Sequence, residues 1–369
     1  MRTHACLTFL FSLAVACGSP DDGFVGELTA PVVYGSDDRL EVFEEPDADL
    51  RRIADESIVA LIPSFRISRD QDGTYGLYTE SLEKLLGLCP DQRFGWEPTA
   101  AACSGVLIDD DLVLTAGHCI DAHTPCDSYS YVFRYELEAP DSLAVIRDED
   151  VYSCARLVAQ GTPRGSDLTP DFSVVQLDRP VEGAHAPALI RPATPLGAQE
   201  SLTMIGFGTG LPAKIDSGGS VADPRADQLD FFVANVDAFQ GHSGSATFDS
   251  QHRLAGILIG GRTPDYVTSA EGCAEVNVFQ NSQAGEVVHN IAPIVDALCT
   301  QGWNADSLCD PKACAGEPCG LPSTPSDNPG VVPANKSGCS ASRGSSDFAS
   351  GWLGLLLFVV ARRFRRRAV

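Results

Sequence analysis

Ser243 lies in Gly241-His242-Ser243-Gly244-Ser245, a turn in which glycines precede and follow a hydroxyl. A serine hydroxyl attacks a carbonyl only when a neighbouring base takes its proton. Two stretches upstream could supply the rest of that chemistry. Leu114-Thr115-Ala116-Gly117-His118-Cys119 puts a histidine at the end of an apolar run. Asp171-Phe172-Ser173-Val174-Val175-Gln176-Leu177 puts an acid at the start of another. His118 would act as general base and then as general acid. Asp171 would hold its tautomer and stabilise the imidazolium. The N–H groups of Gly241 and Ser243 would face the developing oxyanion. Asp167 and Asp178 are neighbouring acids, but Asp171 is the one that opens the apolar run. His123 lies five residues after His118, a spacing that does not place two metal ligands on one helix face.

These side chains must be carried by short strands. Ile58–Ile62 reads as an apolar strand ended by Pro63. Cys103–Ile108 and Leu112–Thr115 read as a hairpin around Asp109-Asp110-Asp111 that delivers His118. Further strands are expected at Phe172–Leu177, Leu202–Gly206 and Arg253–Gly261. Leu82, Leu85, Leu86 and Leu88 recur at helical spacing within residues 75–89, which predicts a short helix inserted among the strands. Ile291–Leu298 predicts a closing helix. Many short strands separated by Gly and Pro turns indicate an all-β pair of barrels.

The chain has 369 residues and a formal charge of −24, and five of its last eight residues are arginines with no acid among them. The acidic remainder argues against nucleic acid as a partner, because phosphate binding needs a basic surface. Of the 13 cysteines, Cys6, Cys17 and Cys339 fall near the ends. The other ten, Cys89, Cys103, Cys119, Cys126, Cys154, Cys273, Cys299, Cys309, Cys314 and Cys319, contain no Cys-x-x-Cys pair. That pattern points to disulfides in an oxidising compartment rather than to metal, and no cofactor is expected.

Both ends read as addresses. Residues 1–16 start with Arg2 and His4, continue as an apolar run and finish in Ala14-Val15-Ala16, the pattern of a secretory signal peptide. Cys17 follows directly and is a candidate for lipidation. Residues 301–338 hold cysteines and then a Pro/Ser/Gly/Asn-rich linker. Residues 339–369 combine Cys339-Ser340, an apolar run from Trp352 to Ala361 and terminal arginines, a stop-transfer pattern. Residues 17–50 are expected to be a leader or pro-segment, and residues 51–300 the main domain.

The order His118, Asp171, Ser243, with Thr-Ala-Gly-His-Cys around the base and Gly-x-Ser-Gly around the nucleophile, resembles the trypsin-like serine proteases. The likeness spans roughly residues 32–300. Val32-Val33-Tyr34-Gly35-Ser36-Asp37-Asp38-Arg39 with Ser57–Ile62 resembles the start of the bacterial glutamyl-endopeptidase-like branch. The resemblance implies two six-stranded Greek-key barrels of the chymotrypsin type and a secreted serine endopeptidase, a monomer acting on proteins or peptides. It also implies a Cys103–Cys119 disulfide bracing the histidine loop, and a cleft strand ending in Gly260 and Gly261. Asp237, six residues before Ser243, matches the base of the specificity pocket, where an acid selects Arg or Lys; Phe239 replaces a cysteine expected nearby. The cleft strand has no histidine for reading an acidic substrate, although Arg262 lies just beyond it. His242 stands where many members carry the Asp that pairs with a new N-terminus. The last thirty residues resemble the MYXO-CTERM sorting signal, which implies processing near Cys339 and display at the bacterial cell surface. Two other readings are an inert binding protein on a protease fold and an α/β-hydrolase esterase. The esterase would need its histidine after the serine and Gly at position 245, which is Ser.

Overall fold

The computed structural model describes residues 32–301, 303 and 306–309. The signal peptide, Cys17, Cys314, Cys319, the linker and the Cys339 segment lie outside the described residues.

Six strands close the first barrel: β1 (Ile58–Pro63), β2 (Cys103–Asp109), β3 (Leu112–Thr115), β4 (Tyr129–Val132), β5 (Val151–Gly161) and β6 (Phe172–Leu177). Six more close the second: β7 (Ser201–Gly206), β8 (Lys214–Asp223), β9 (Phe231–Ala234), β10 (Ala246–Asp249), β11 (Leu254–Gly260) and β12 (Glu286–Asn290). Both barrels follow one connection pattern: first, second, third, sixth, fifth, fourth and back to the first. The fold is the two-barrel, chymotrypsin-like arrangement: the strand pattern implied a pair of barrels, and the family resemblance implied their type. Closure leaves no free sheet edge in either barrel.

The strands next to the site read as unbroken apolar runs because both their faces are covered. Leu112–Thr115 and Leu254–Gly260 are buried at every position. The short second barrel has its own interior, with Leu202, Met204, Phe232, Leu258 and Val288 at its centre. Helix α3 (Ile291–Thr300) packs on β11 and β5. It starts where expected and runs two residues longer.

Two regions differ from the sequence reading. Residues 32–50, expected to belong to a leader, are built into the folded unit. Leu40–Glu41 pairs with Lys214 and Ile215 of β8, and Asp47 caps α1 (Ala48–Ser57) by accepting N–H bonds from Asp49 and Leu50. The buried face of α1 is Leu50, Ile53, Ala54 and Ser57, so the segment cannot leave without exposing it. The helix expected within 75–89 is confined to α2 (Leu82–Leu86), started by Ser81 and stopped by Gly87 at φ +66°. Tyr75–Leu77 instead pairs with Ile67–Arg69 as a hairpin.

Four disulfides join described cysteines: Cys103–Cys119, Cys89–Cys273, Cys126–Cys154 and Cys299–Cys309. The first is the pair that the family resemblance implied. Among the described residues no helix is long and apolar enough to cross a membrane.

Candidate active site

His118, Asp171 and Ser243 come from three separate places and meet in one line. His118 sits on the turn Gly117–Cys119 directly after β3, and the Cys103–Cys119 bridge ties that turn to the start of β2. Asp171 immediately precedes β6, which pairs with β3. Asp171 Oδ1 accepts the His118 backbone N–H at 2.9 Å, and Oδ2 lies 2.8 Å from Nδ1. A carboxylate only accepts, so Nδ1 carries the proton and the Nε2 lone pair is left for the serine. Nε2 lies 2.7 Å from Ser243 Oγ. The Asp171 side chain is 1% exposed and that of His118 40%, which orients the base from a dry side and leaves its working edge open. With Nδ1 and Nε2 both engaged, His118 has no ring nitrogen left for a metal shared with His123. Asp167 is exposed, and Asp178 accepts the Ser153 N–H beyond the end of β6.

The Ser243 turn belongs to the second barrel but is clamped by the first. Ser104 on β2 donates its hydroxyl to the Gly241 carbonyl at 2.9 Å and accepts the Phe207 N–H at 3.0 Å. Its own N–H donates to the Ser243 carbonyl at 2.8 Å. Gly241 has φ +98° and Gly244 φ +85°, and a Cβ on Gly244 would lie 2.1 Å from the Ser104 carbonyl oxygen. Only glycine meets both demands. The Gln240 carbonyl accepts the Thr209 N–H at 2.5 Å. In a trans peptide the N–H points opposite to the C=O, so the Gly241 N–H faces away from Thr209. Among the described residues neither it nor the Ser243 N–H meets a protein acceptor. This is the donor pair an oxyanion needs.

His242 serves the same turn. Its ring is buried, and burial, aided by the Arg39 and Lys214 charges, pushes it down to about 3. The neutral ring accepts the Phe239 N–H on Nδ1 at 2.9 Å. The Phe239 ring in turn lies under the Arg39 guanidinium, 3.9 Å from carbon to centroid, with Phe94 at 4.9 Å. Arg39 is 2% exposed and paired with Asp37 at 2.7 Å.

Asp237 departs from the expectation. It does not offer a carboxylate to a substrate cation. Oδ1 accepts the Tyr34 N–H at 2.8 Å and Oδ2 the Asp38 N–H at 3.1 Å, in a buried setting. Burial and the adjacent Asp216 carboxyl push it up. The lead-in segment 32–41 thus takes the acid that the spacing had assigned to specificity. Gly260 closes β11, and Gly261 follows it. A Cβ on Gly261 would lie 1.7 Å from Glu286 Oε2. Glu286 is buried, and burial pushes it up to about 8. Its Oε1 accepts from Tyr34 Oη at 2.9 Å and from the Arg262 N–H at 3.2 Å, while Oε2 is buried with no hydrogen-bond partner among the described residues. Arg262 therefore belongs to the Glu286 cluster by its backbone.

The sequence reading missed Ser104, Arg39, Tyr34 and Glu286. The Asp-Asp-Arg run was visible as part of a motif, but nothing local reveals that Arg39 stacks on Phe239, two hundred residues away in the chain. Ser104 follows a cysteine in an apolar strand, a polar residue in a core position that needs a partner.

Residues 103–257 match the family model of the trypsin-like peptidase domain. This stretch contains His118, Asp171 and Ser243. The fold is that of the chymotrypsin-like serine proteases. No curated protein matches the sequence. A solved Glu endopeptidase in complex with MPD is similar at 15% identity, covering 74% of this chain and all of its own, with a TM-score of 0.44. Neuropsin, a serine protease expressed in the limbic system of mouse brain, is similar at 18% identity over 54% of this chain and 88% of its own, with a TM-score of 0.40. The peptidase-domain match starts at Cys103, so the lead-in segment and the α2 insertion lie outside it.

Proposed function

We propose that the protein is a serine endopeptidase that hydrolyses peptide bonds through an acyl-enzyme. Ser243 Oγ attacks the peptide carbonyl carbon while His118 Nε2 takes its proton. The N–H groups of Gly241 and Ser243 hold the oxyanion, and Asp171 stabilises the imidazolium. His118 then gives the proton to the leaving amine, and the C–N bond breaks. Water, deprotonated by the same imidazole, attacks the ester carbon; the C–O bond to Ser243 breaks, the acid product leaves, and Ser243 regains its proton from the imidazolium. The observation that carries this reading is the unbroken line Asp171–His118–Ser243 at 2.8 and 2.7 Å beside two unengaged N–H groups.

The amino-terminal signal pattern, the disulfides and the Cys339-to-arginine tail support action outside the cytoplasm, at a bacterial envelope. A preference for Arg or Lys is not carried forward, because the acid it rested on is occupied by Tyr34 and Asp38. Incubation of the processed protein with an unstructured protein, followed by mass spectrometry of the products, tests the reading. New peptide termini should appear with the wild type and not with Ser243→Ala. Intact substrate in both samples would contradict it.

A further inference from the structure

Beside the oxyanion turn lies a cavity of about 430 Å³ that the catalytic line does not use. It touches the turn at Gln240 and Gly241 and takes no wall from the β11 strand or from Gly261. A second cavity of about 340 Å³ adjoins it through shared walls at Phe65, Arg66, Leu85 and Thr99, and extends to Tyr78 and Glu80. The two make one groove running outward from Gly241.

Its walls are built from regions with no other evident work. Phe65 projects from the turn after β1 and is 80% exposed; Tyr78, after the hairpin, is 66% exposed; Leu85, on α2, is 47% exposed. Large side chains held in water around a groove mark a place where something apolar binds. The floor is small and mostly backbone, from Ala101, Ala102 and Gly210. Of the two charged groups along the groove, Glu80 is ion-paired and Arg66 rests on a neutral carbonyl. Arg66 donates to the Thr99 carbonyl at 3.3 Å, and Glu80 pairs with Lys84 at 2.6 Å. A cationic guest would find Glu80 already paired, whereas an apolar one would cover three exposed side chains.

We infer that this groove binds the part of the substrate that follows the scissile bond, and that it selects a large apolar side chain, aromatic or aliphatic, within the first three residues after the cut. The inference rests on the peptidase reading of Ser243. Substrate residues before the cut would lie along β11 and its Gly260–Gly261 end. The groove begins at Gly241 and takes no wall from β11, so the leaving half would extend into it. At roughly 3.3 Å per extended residue, the first three residues after the cut span about 10 Å, within reach of groove walls that start at Gly241. The turn after β1, the hairpin and α2, all outside the matched peptidase domain, supply the selecting walls.

The test compares peptides identical up to the cleaved bond and carrying either Phe or Ser at the first, second or third position after it, varied one at a time, of which at least one should discriminate. For the wild type, kcat/KM should favour Phe by about tenfold or more, the usual scale for an apolar side chain entering a fitted pocket. Phe65→Asp should reverse the order and favour a peptide with Arg at that position, a gain that misfolding cannot mimic. A fluorophosphonate probe labels the wild-type serine in parallel. Labelling of Ser243 with equal cleavage of the Phe and Ser peptides at all three positions overturns the groove assignment and leaves the peptidase reading intact. Absence of labelling overturns the peptidase reading, and the groove assignment falls with it.

Discussion

The two sides of the catalytic cleft are built on different physics. On the first barrel, His118 and Asp171 stand on short apolar strands, and the one buried charge in the line, Asp171, is satisfied locally by His118 itself. On the second barrel, the Ser243 turn rests on a set of buried ionisable groups. Arg39 is held by Asp37 and stacks on Phe239; Lys214 pairs with Glu41 and Glu97; Asp216, Asp237 and Glu286 are all pushed up by burial. Most of these contacts run to residues 34–41. The first side is therefore set by its own strands, and the second depends on the lead-in segment being docked. In the trypsin-like pattern an Asp beside the serine would pair with a newly cut N-terminus. Here neutral His242 occupies that place and accepts an N–H from Phe239.

The comparison can be broken first at the chemistry. Ser243→Ala should lower kcat/KM by about 10⁶, and Asp171→Asn by about 10⁴ through the wrong tautomer, with thermal unfolding little changed. Steady-state hydrolysis of one peptide by the three proteins checks both. On the serine side the larger effect should be on stability. Arg39→Ala removes the buried partner of Asp37, which keeps Arg93 at 3.1 Å, and removes the cover on Phe239, at a cost of about 3 kcal/mol in urea unfolding. Removing either member of the catalytic pair should cost far less than that.

The buried acids sharpen the same contrast through pH. An unfolded glutamate loses its proton near pH 4.3, and folded Glu286 near 8. Between those values the unfolded chain binds fewer protons, so stability falls as pH rises from about 4 to about 8. The stabilisation is complete below the unfolded value and gone above the folded one. Glu286→Gln should flatten that decline and raise stability at pH 8.5 by on the order of 2 kcal/mol, with little change at pH 4, as read by thermal melts across the range. The smallest effect is expected at the seam between the barrels. Ser104→Ala leaves the Gly241 carbonyl and the Phe207 N–H unpaired and should cost about 1–2 kcal/mol. It should also slow acylation of Ser243 relative to the wild type, because Gly241 loses its clamp.

Legibility in the sequence followed the same division. The triad side was readable because each residue adjoins the strand that carries it: Thr115 leads to His118, and Asp171 leads to Phe172. The hairpin around Asp109–Asp111 and the start of α3 at Ile291 were readable for the same reason. The α1 helix had a signal, with Asp47 as cap and Leu50, Ile53, Ala54 and Ser57 at helical spacing, but the leader boundary at residue 50 cut through it. Asp237 misled because spacing from Ser243 specifies a position along the turn and not what fills the space beside it. That space is filled by Tyr34 and Asp38, and no local pattern connects residues two hundred apart.

The central claim is that His118 activates Ser243 in the folded protein. The direct measurement is the mass of the processed protein after exposure to a fluorophosphonate, with peptide mapping of the adduct. The account predicts one adduct, on Ser243, formed at least a thousandfold faster in the wild type than in His118→Ala. Equal rates in the two proteins, or an adduct elsewhere with Ser243 free, would contradict it.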